Sequence, residues 1–103
     1  MANSFTYKIL NENELFSFDY SQVLQPAEVI TSAIANVILM NGVDPNPSSI
    51  LLGSPVVSTP KVSQRIINGL NEVTYRLEMT ATTDQGNIFT AVGDITTYDA
   101  SNV

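Results

Sequence analysis

The sequence contains no histidine, no cysteine and no tryptophan, and only four of its 103 residues are cations: Lys8, Lys61, Arg65 and Arg76. Without histidine, the usual general base, the commonest metal ligand and both the Ser-His and Cys-His forms of nucleophilic catalysis are excluded. Without cysteine there is no thiolate nucleophile, no cysteine-based zinc site and no disulfide framework, although a cysteine-free chain is compatible with any compartment. The four cations are scattered and ten acids bring the net charge to −6, so phosphate backbones are repelled and nucleic acid is not an expected partner. Glycine is sparse as well. None of the five, at positions 42, 53, 69, 86 and 93, lies within six residues of another, which leaves no glycine-rich phosphate cradle.

Long apolar runs are also missing. The densest, Ala33 to Met40, is broken by Asn36 and is far too short to cross a bilayer. Met1-Ala-Asn-Ser4 lacks the basic and apolar regions of a signal peptide, so the mature protein is expected to begin near Met1 and to be soluble, with no membrane partner. With 44% hydrophobic and 14% charged residues, the composition is that of a folding chain and not of a disordered one. A length of 103 residues suits one domain with one core. Within it, residues 1–14 read as an N-terminal strand or arm and residues 15–103 as the body.

What is present is a strand-forming composition, rich in Val, Ile, Thr, Tyr and Phe, with apolar stretches closed repeatedly by Gly, Pro, Asn and Asp. Phe5 to Leu10 puts Phe5, Tyr7 and Ile9 on one face and Thr6 and Lys8 on the other. Leu15 to Tyr20 puts Phe16 and Phe18 opposite Ser17 and Asp19. Ile30 to Met40 fits a strand through Ala33, Ala35, Val37 and Leu39 and a helical stripe through Ile30, Ile34, Val37 and Ile38. Its β-branched residues and the closing Asn41-Gly42 favour the strand. Asp44-Pro-Asn-Pro-Ser-Ser49 is a loop, since two prolines one residue apart remove donors and restrict their neighbours.

Ile50 to Thr59, split by Gly53 and Pro55, reads as edge strands or a bulged strand, where proline is tolerated. Val62 to Ile67 is a further strand, ended by Asn68-Gly69. Glu72 to Thr82 alternates strictly, with Val73, Tyr75, Leu77, Met79 and Ala81 on one face and Thr74, Arg76, Glu78, Thr80 and Thr82 on the other. Asp84-Gln-Gly86 then turns the chain into Ile88 to Tyr98, its antiparallel partner. About seven strands result. That number makes an all-β, immunoglobulin- or fibronectin III-like antiparallel β-sandwich the expected fold.

The remaining chemistry-bearing groups are carboxylates and amides. Glu12 and Glu14 sit two apart in a polar turn and read as solvated. Asp44 and Asn46 are too few for calcium, which takes six to eight oxygens, and read as turn-formers. Asp94, among Ala91, Val92, Gly93 and Ile95, reads either as a charge deterring pairing at an edge, the preferred reading, or as a buried hydrogen-bonded group. No catalytic residue, metal ligand, cofactor or small-molecule substrate is expected.

Leu70-Asn-Glu-Val-Thr-Tyr75 matches the corner of Greek-key sandwiches, where a tyrosine near the start of the penultimate strand bonds back to upstream backbone. Leu70 and Tyr75 are then a structural corner, the alternative being that Tyr75 is a plain core tyrosine. Leu70 through Gly86 resembles the end of a fibronectin type III domain. Asp19-Tyr20, Asn68-Gly69, Tyr75-Arg-Leu77 and Thr82-Thr-Asp-Gln-Gly86 together resemble the small Ig-like bacteriophage fiber-tail adaptor proteins, over roughly Leu15 to Tyr98. The sequence departs from that family in having no tryptophan-bearing strand and in having Asn-Gly where paired glycines are usual.

The resemblance implies a non-enzymatic structural adaptor in the tail region of a virion, linking fibre or neighbouring proteins to tail or connector, in several copies around a symmetric ring. Ile50, Leu51, Leu52, Val56 and Val57 are candidate partner contacts if their segment is exposed, and an inner strand if it is not. Two other readings stay open. One is an Ig-like ligand- or carbohydrate-binding module, against which the absence of tryptophan weighs; the other is a capsid decoration protein.

Overall fold

A computed structural model describes residues 2–102, with side chains from residue 7 to residue 101. Met1 and the side chains of Phe5 and Thr6, which the alternation assigns to opposite faces, lie outside the described residues. Seven strands follow one another: β1 (Ala2–Ile9), β2 (Glu14–Asp19), β3 (Ile30–Asn41), β4 (Leu51–Ser58), β5 (Lys61–Ile66), β6 (Val73–Thr83) and β7 (Ile88–Tyr98). Single 3-10 turns occur at Pro47–Ile50 and Ala100–Asn102, and no α-helix occurs among the described residues.

The strands form a four-stranded sheet in the order β1-β7-β6-β3 and a three-stranded sheet in the order β2-β5-β4. This is the arrangement of an immunoglobulin-type sandwich, in which the third, sixth and seventh strands face the second, fifth and fourth. All pairings are antiparallel except that of β1, which runs parallel to β7. β1 thus lies along the edge of the four-stranded sheet, beside β7.

Period-two alternation decides which side chains meet between the sheets. On β6, Val73, Tyr75, Leu77, Met79, Ala81 and Thr83 point inward, and on β7, Ala91, Gly93, Ile95 and Thr97 do the same. The three-stranded sheet supplies Phe16 and Phe18 from β2 and Val62, Gln64 and Ile66 from β5. Tyr20, just past β2, is fully buried and its hydroxyl donates to the Met79 carbonyl at 2.6 Å, so it crosses the core and ties the two sheets together. Burial raises its pKa to about 12. Leaving such a hydroxyl unpaired would cost about 1–3 kcal/mol, and this single bond removes that penalty.

Two turns show why the sequence places glycine where it does. At Asn68-Gly69 both residues have positive φ (55° and 98°), and a Cβ on Gly69 would stand 2.6 Å from the Thr97 Cγ2, so only glycine fits beneath β7. In β4, Gly53 has φ 72° at the start of a bulge, where the residues between Leu52 and Val56 stand against the single position between Arg65 and Ser63 on β5.

Candidate interaction surface

The described residues form no pocket and no group of three or more side chains able to hold a metal. The sandwich therefore presents faces, edges and ends to its surroundings. Its polar groups at the two ends are arranged as braces.

At one end Tyr75 is held from two sides. The Leu70 N–H donates to its hydroxyl oxygen at 3.1 Å, and the hydroxyl donates to Asp44 Oδ2 at 2.7 Å. The first of these is the bond back to upstream backbone that defines a tyrosine corner. Burial, and after it the nearby Asp44 carboxylate, raises the Tyr75 pKa to about 12. Asp44 Oδ1 also accepts from the Asn46 N–H at 2.9 Å, which makes Asp44 both turn-former and brace. Thr97 Oγ1 donates to the Leu70 carbonyl, closing the corner onto β7.

The same end holds the least expected group. Lys8 is fully buried, while Tyr7, on the opposite face of β1, is 47% exposed and meets Tyr98 edge-to-face at 5.9 Å. The Lys8 ammonium donates to the carbonyls of Ile9 (2.9 Å), Leu10 (3.1 Å) and Asn68 (2.9 Å). Burial lowers its pKa, opposed by the charges of Glu12 and Glu14. Glu12 is also more than a solvated turn residue: its Oε1 accepts from the Ile9 N–H at 3.2 Å.

At the other end a second brace closes the β6–β7 hairpin. Glu28 is buried and accepts from the Gln25 N–H (2.8 Å), the Thr83 hydroxyl and the Asn87 amide (2.8 Å). These donors, the Thr83 hydroxyl foremost, hold its carboxyl below the usual glutamate range. Asp84 Oδ1 accepts from the Val29 N–H, and the Asp84 N–H donates to the Val29 carbonyl, so the segment before β3 is tied to the turn. Sequence reasoning missed Glu28. Its nearest signal is the Gln25-Pro-Ala-Glu28 turn, whose three-residue spacing allows the carboxylate to fold back on its own backbone.

Asp94 requires a correction. It is neither an edge charge nor a buried group. β1 adds beside β7 and makes β7 an internal strand, and Asp94 points to the outer face with its side chain 45% exposed. There it accepts from Arg76 Nε at 2.8 Å and Nη2 at 3.1 Å, directly across the β6–β7 pair. This bidentate contact, ahead of the guanidinium's charge, lowers the Asp94 pKa and raises that of Arg76.

The five candidate contacts divide. Ile50 is fully buried in the core, and Val57, opposite Val62, and Leu51, opposite Ile66, pack partly against it. Ile50 is therefore a core residue and not a surface contact. Leu52 (44% exposed) and Val56 (62%) face outward. They stand in register with Arg65 and Ser63 on β5 and, beyond those, with Leu15 and Ser17 on β2. Leu15, 46% exposed, joins them in an apolar patch on the outer face of the three-stranded sheet, with Arg65 between its rows and Lys61 at its end. The bulge beside this patch is sealed from within by Gln64, whose amide donates to the carbonyls of Leu52 (3.2 Å), Gly53 (3.1 Å) and Arg65 (3.0 Å).

A second apolar strip lies on the other sheet, along β3. Ile34 is 71% exposed, Ile38 38% and Met40 44%, and Val43 follows at 81%.

Exposed apolar strips of this kind mark surfaces for contact with other proteins. Comparison with known families decides which kind. The profile of the podophage GP4 fiber-tail adaptor protein gp77 family matches residues 10–96. The chain belongs to this family. It is a structural, non-enzymatic component of a virion tail, and its partners are fibre and tail proteins. The matched span contains β2 through β6 and most of β7. No curated protein matches the sequence. Among solved structures, the 2,6-sialyltransferase of Vibrionaceae Photobacterium sp. JT-ISH-224 aligns with a TM-score of 0.49 and 11% identity, over 96% of this chain and 18% of that one. So weak a likeness, to a chain of which this one spans under a fifth, carries no argument about the adaptor.

Proposed function

We propose that the adaptor links fibre to tail or connector as several identical copies in a closed symmetric ring, and that the outer face of its three-stranded sheet is one of its contact surfaces. The family match over residues 10–96 carries the adaptor role. The ring is favoured because identical subunits that assemble generally close under point symmetry. For the contact surface, the supporting observation is the patch of Leu15, Leu52 and Val56 beside Arg65 and Lys61, exposed apolar groups next to two of the chain's four cations. Such a patch suits an acidic, partly apolar partner surface.

Ile50, Leu51 and Val57 support this surface from beneath: they anchor the two flanks of the bulge and so hold Leu52 and Val56 outward. The body of residues 15–103, together with the N-terminal strand, acts as one unit.

Cross-linking mass spectrometry on purified particles tests the reading. Links from Lys61, or from Ser54 and Ser58 with a hydroxyl-reactive reagent, to tail, connector or fibre protein are expected, with a copy number matching the tail's symmetry. A protein recovered only as a free monomer, absent from particles, would overturn it and put a ligand-binding module first. Links to capsid protein alone would make it a decoration protein.

A further inference from the structure

A β-sheet ends in strands whose outer N–H and C=O groups are unpaired, and natural sheets blunt such edges with charge, proline, bulges or inward-pointing charged side chains. This sandwich has four edges, β1 and β3 in one sheet and β2 and β4 in the other. Three carry such a device. β1 turns Lys8 inward. β2 is six residues long with Glu14 and Asp19 at its ends. β4 is broken by its bulge and by Pro55.

β3 carries none. Its twelve residues, ITSAIANVILMN, include no charge, no proline and no glycine. Register irregularities fall only near its ends, between Ile30 and Ser32 and between Leu39 and Asn41, so Ser32 to Leu39 is a regular run. At about 3.4 Å per residue the strand is roughly 40 Å long, close to the 46 Å long axis of the molecule. Its outer face carries Ile34, Ile38 and Met40, all exposed. Its inner face, Ala33, Ala35, Val37 and Leu39, packs against the core but is only half-buried. Variable-type immunoglobulin domains fill the position beside this strand with further strands of their own chain. Here it is open.

We propose that the β3 edge of this adaptor is completed by an extended segment of a second virion protein, which adds as an antiparallel or parallel strand with alternating apolar residues and with lysine or arginine at its flanks. The charge around β3 selects this occupant over the β3 edge of a second copy. Glu78 lies beside the middle of the strand, hydrogen-bonded by Asn36 at 3.2 Å. Asp84 is tied to Val29 at one end, and Asp44 follows the other. The cation on the same outer face, Arg76, is engaged by Asp94. Lys61 and Arg65 belong to β5, in the other sheet, and Lys8 is buried. An apolar edge rimmed by acids attracts a basic-flanked strand and repels the same edge of a chain whose net charge is −6. Backbone bonds would supply affinity, and side chains alternating over Ile34 and Ile38 on one face and over the half-buried inner row on the other would supply register.

The proposal rests on the adaptor reading, and one experiment separates the two. Hydrogen exchange is followed by mass spectrometry on the full chain alone, with purified fibre protein and with fibreless tail particles, for the natural protein and for Ile34→Lys and Ile34→Thr. Supporting results are protection of the amides of residues 32–39 by one of these partners, weakened by salt, with Ile34→Lys reducing affinity by roughly tenfold or more and Ile34→Thr by less. Ile34 is 71% exposed, so both variants are expected to melt with the natural protein. Binding with β3 still exchanging freely and Ile34→Lys without effect would overturn the β3 proposal and leave the adaptor reading standing. Protection of β3 by the concentrated protein alone would replace the partner strand with a second copy. Binding to neither partner would overturn both readings.

Discussion

β3 and β4 run along the same flank of the sandwich, one closing each sheet, and are treated oppositely. β4 is eight residues long, bulged at Gly53, interrupted by Pro55 and plugged by the buried Gln64 amide. β3 is twelve residues long, uncharged and regular through its middle. Besides its pairing with β6, β3 is braced near its ends, by Tyr75 and Asp44 at one and by Glu28 and Asp84 before the other. An edge strand stabilised at its ends and bare along its length is stable as a fold and open as a template. A strand disrupted in its middle, as β4 is, presents side chains instead of backbone. The two edges are therefore suited to two different kinds of contact, which is what a protein joining two others requires.

The largest effect is expected where β4 is sealed. Gln64→Leu removes the donor shared by three carbonyls, at about 1–3 kcal/mol per group left unsatisfied and only partly offset by removal of Gln64 Oε1, itself buried without a partner. A net loss of about 2 kcal/mol in urea unfolding is expected. A loss below about 0.5 kcal/mol, the range of ordinary surface changes, would mean that the bulge is held by something other than this side chain.

Next comes the far anchor of β3. Tyr75→Phe removes the bonds to Leu70 and Asp44 and is expected to cost about 1–2 kcal/mol while leaving the β4 flank unchanged in hydrogen exchange. Tyr20 and Tyr75 both have folded pKa values of about 12, above the ordinary tyrosine value near 10. The stability tied to their protonated forms is thus complete below about pH 10 and lost as the pH rises through about 12. Thermal melts across that window should show the decline, and Tyr75→Phe should show a shallower one.

The near anchor is smaller and works at the opposite end of the pH scale. The Glu28 carboxyl is held below its ordinary range, so its contribution is present above that range and lost as pH falls through the lower folded value. Glu28→Gln should flatten the acid limb of the stability curve. An unchanged limb would assign acid sensitivity to the other lowered carboxyls, Asp94 beside Arg76 and Asp19 beside the Ser21 N–H. Smallest of all, Ile34→Lys and Val56→Lys should each leave the unfolding free energy nearly unchanged, within about 0.5 kcal/mol, because both side chains are mostly exposed. Their difference should appear only in binding. Equal effects on the same partner would dissolve the contrast between the two edges.

Much of the architecture was readable before the fold was known. The strict alternation of β6, the turn at Asp84-Gln-Gly86 and the proline-interrupted character of β4 follow from local rules, and each element formed where those rules put it. The fiber-tail adaptor resemblance rested on the same turn and strand signals and holds over residues 10–96. Other features had no local signature. Alternation places Lys8 opposite Tyr7 and Ile9, and composition alone would send the lysine outward. It goes inward because carbonyls of Ile9, Leu10 and Asn68 converge there, and Asn68 is sixty residues away in sequence. Asp94 became half of an ion pair through the register of β7 on β6, which sets it directly across from Arg76. Ile50 and Val57 are indistinguishable from Leu52 and Val56 by hydrophobicity; the register of β4 on β5 turns Val57 toward the core, and Ile50 is buried at the end of the 3-10 turn before β4.

The sequence by itself determined the strand class, the number of strands, their turns and the absence of histidine and cysteine chemistry, because these depend on side-chain period and on residue types within a few positions of one another. Only the tertiary structure decided which strands became edges, which face of each met the core and which polar groups found partners. Those outcomes depend on pairings between residues far apart in the chain. In a sandwich, a slip of one residue in register exchanges inside for outside along a whole strand.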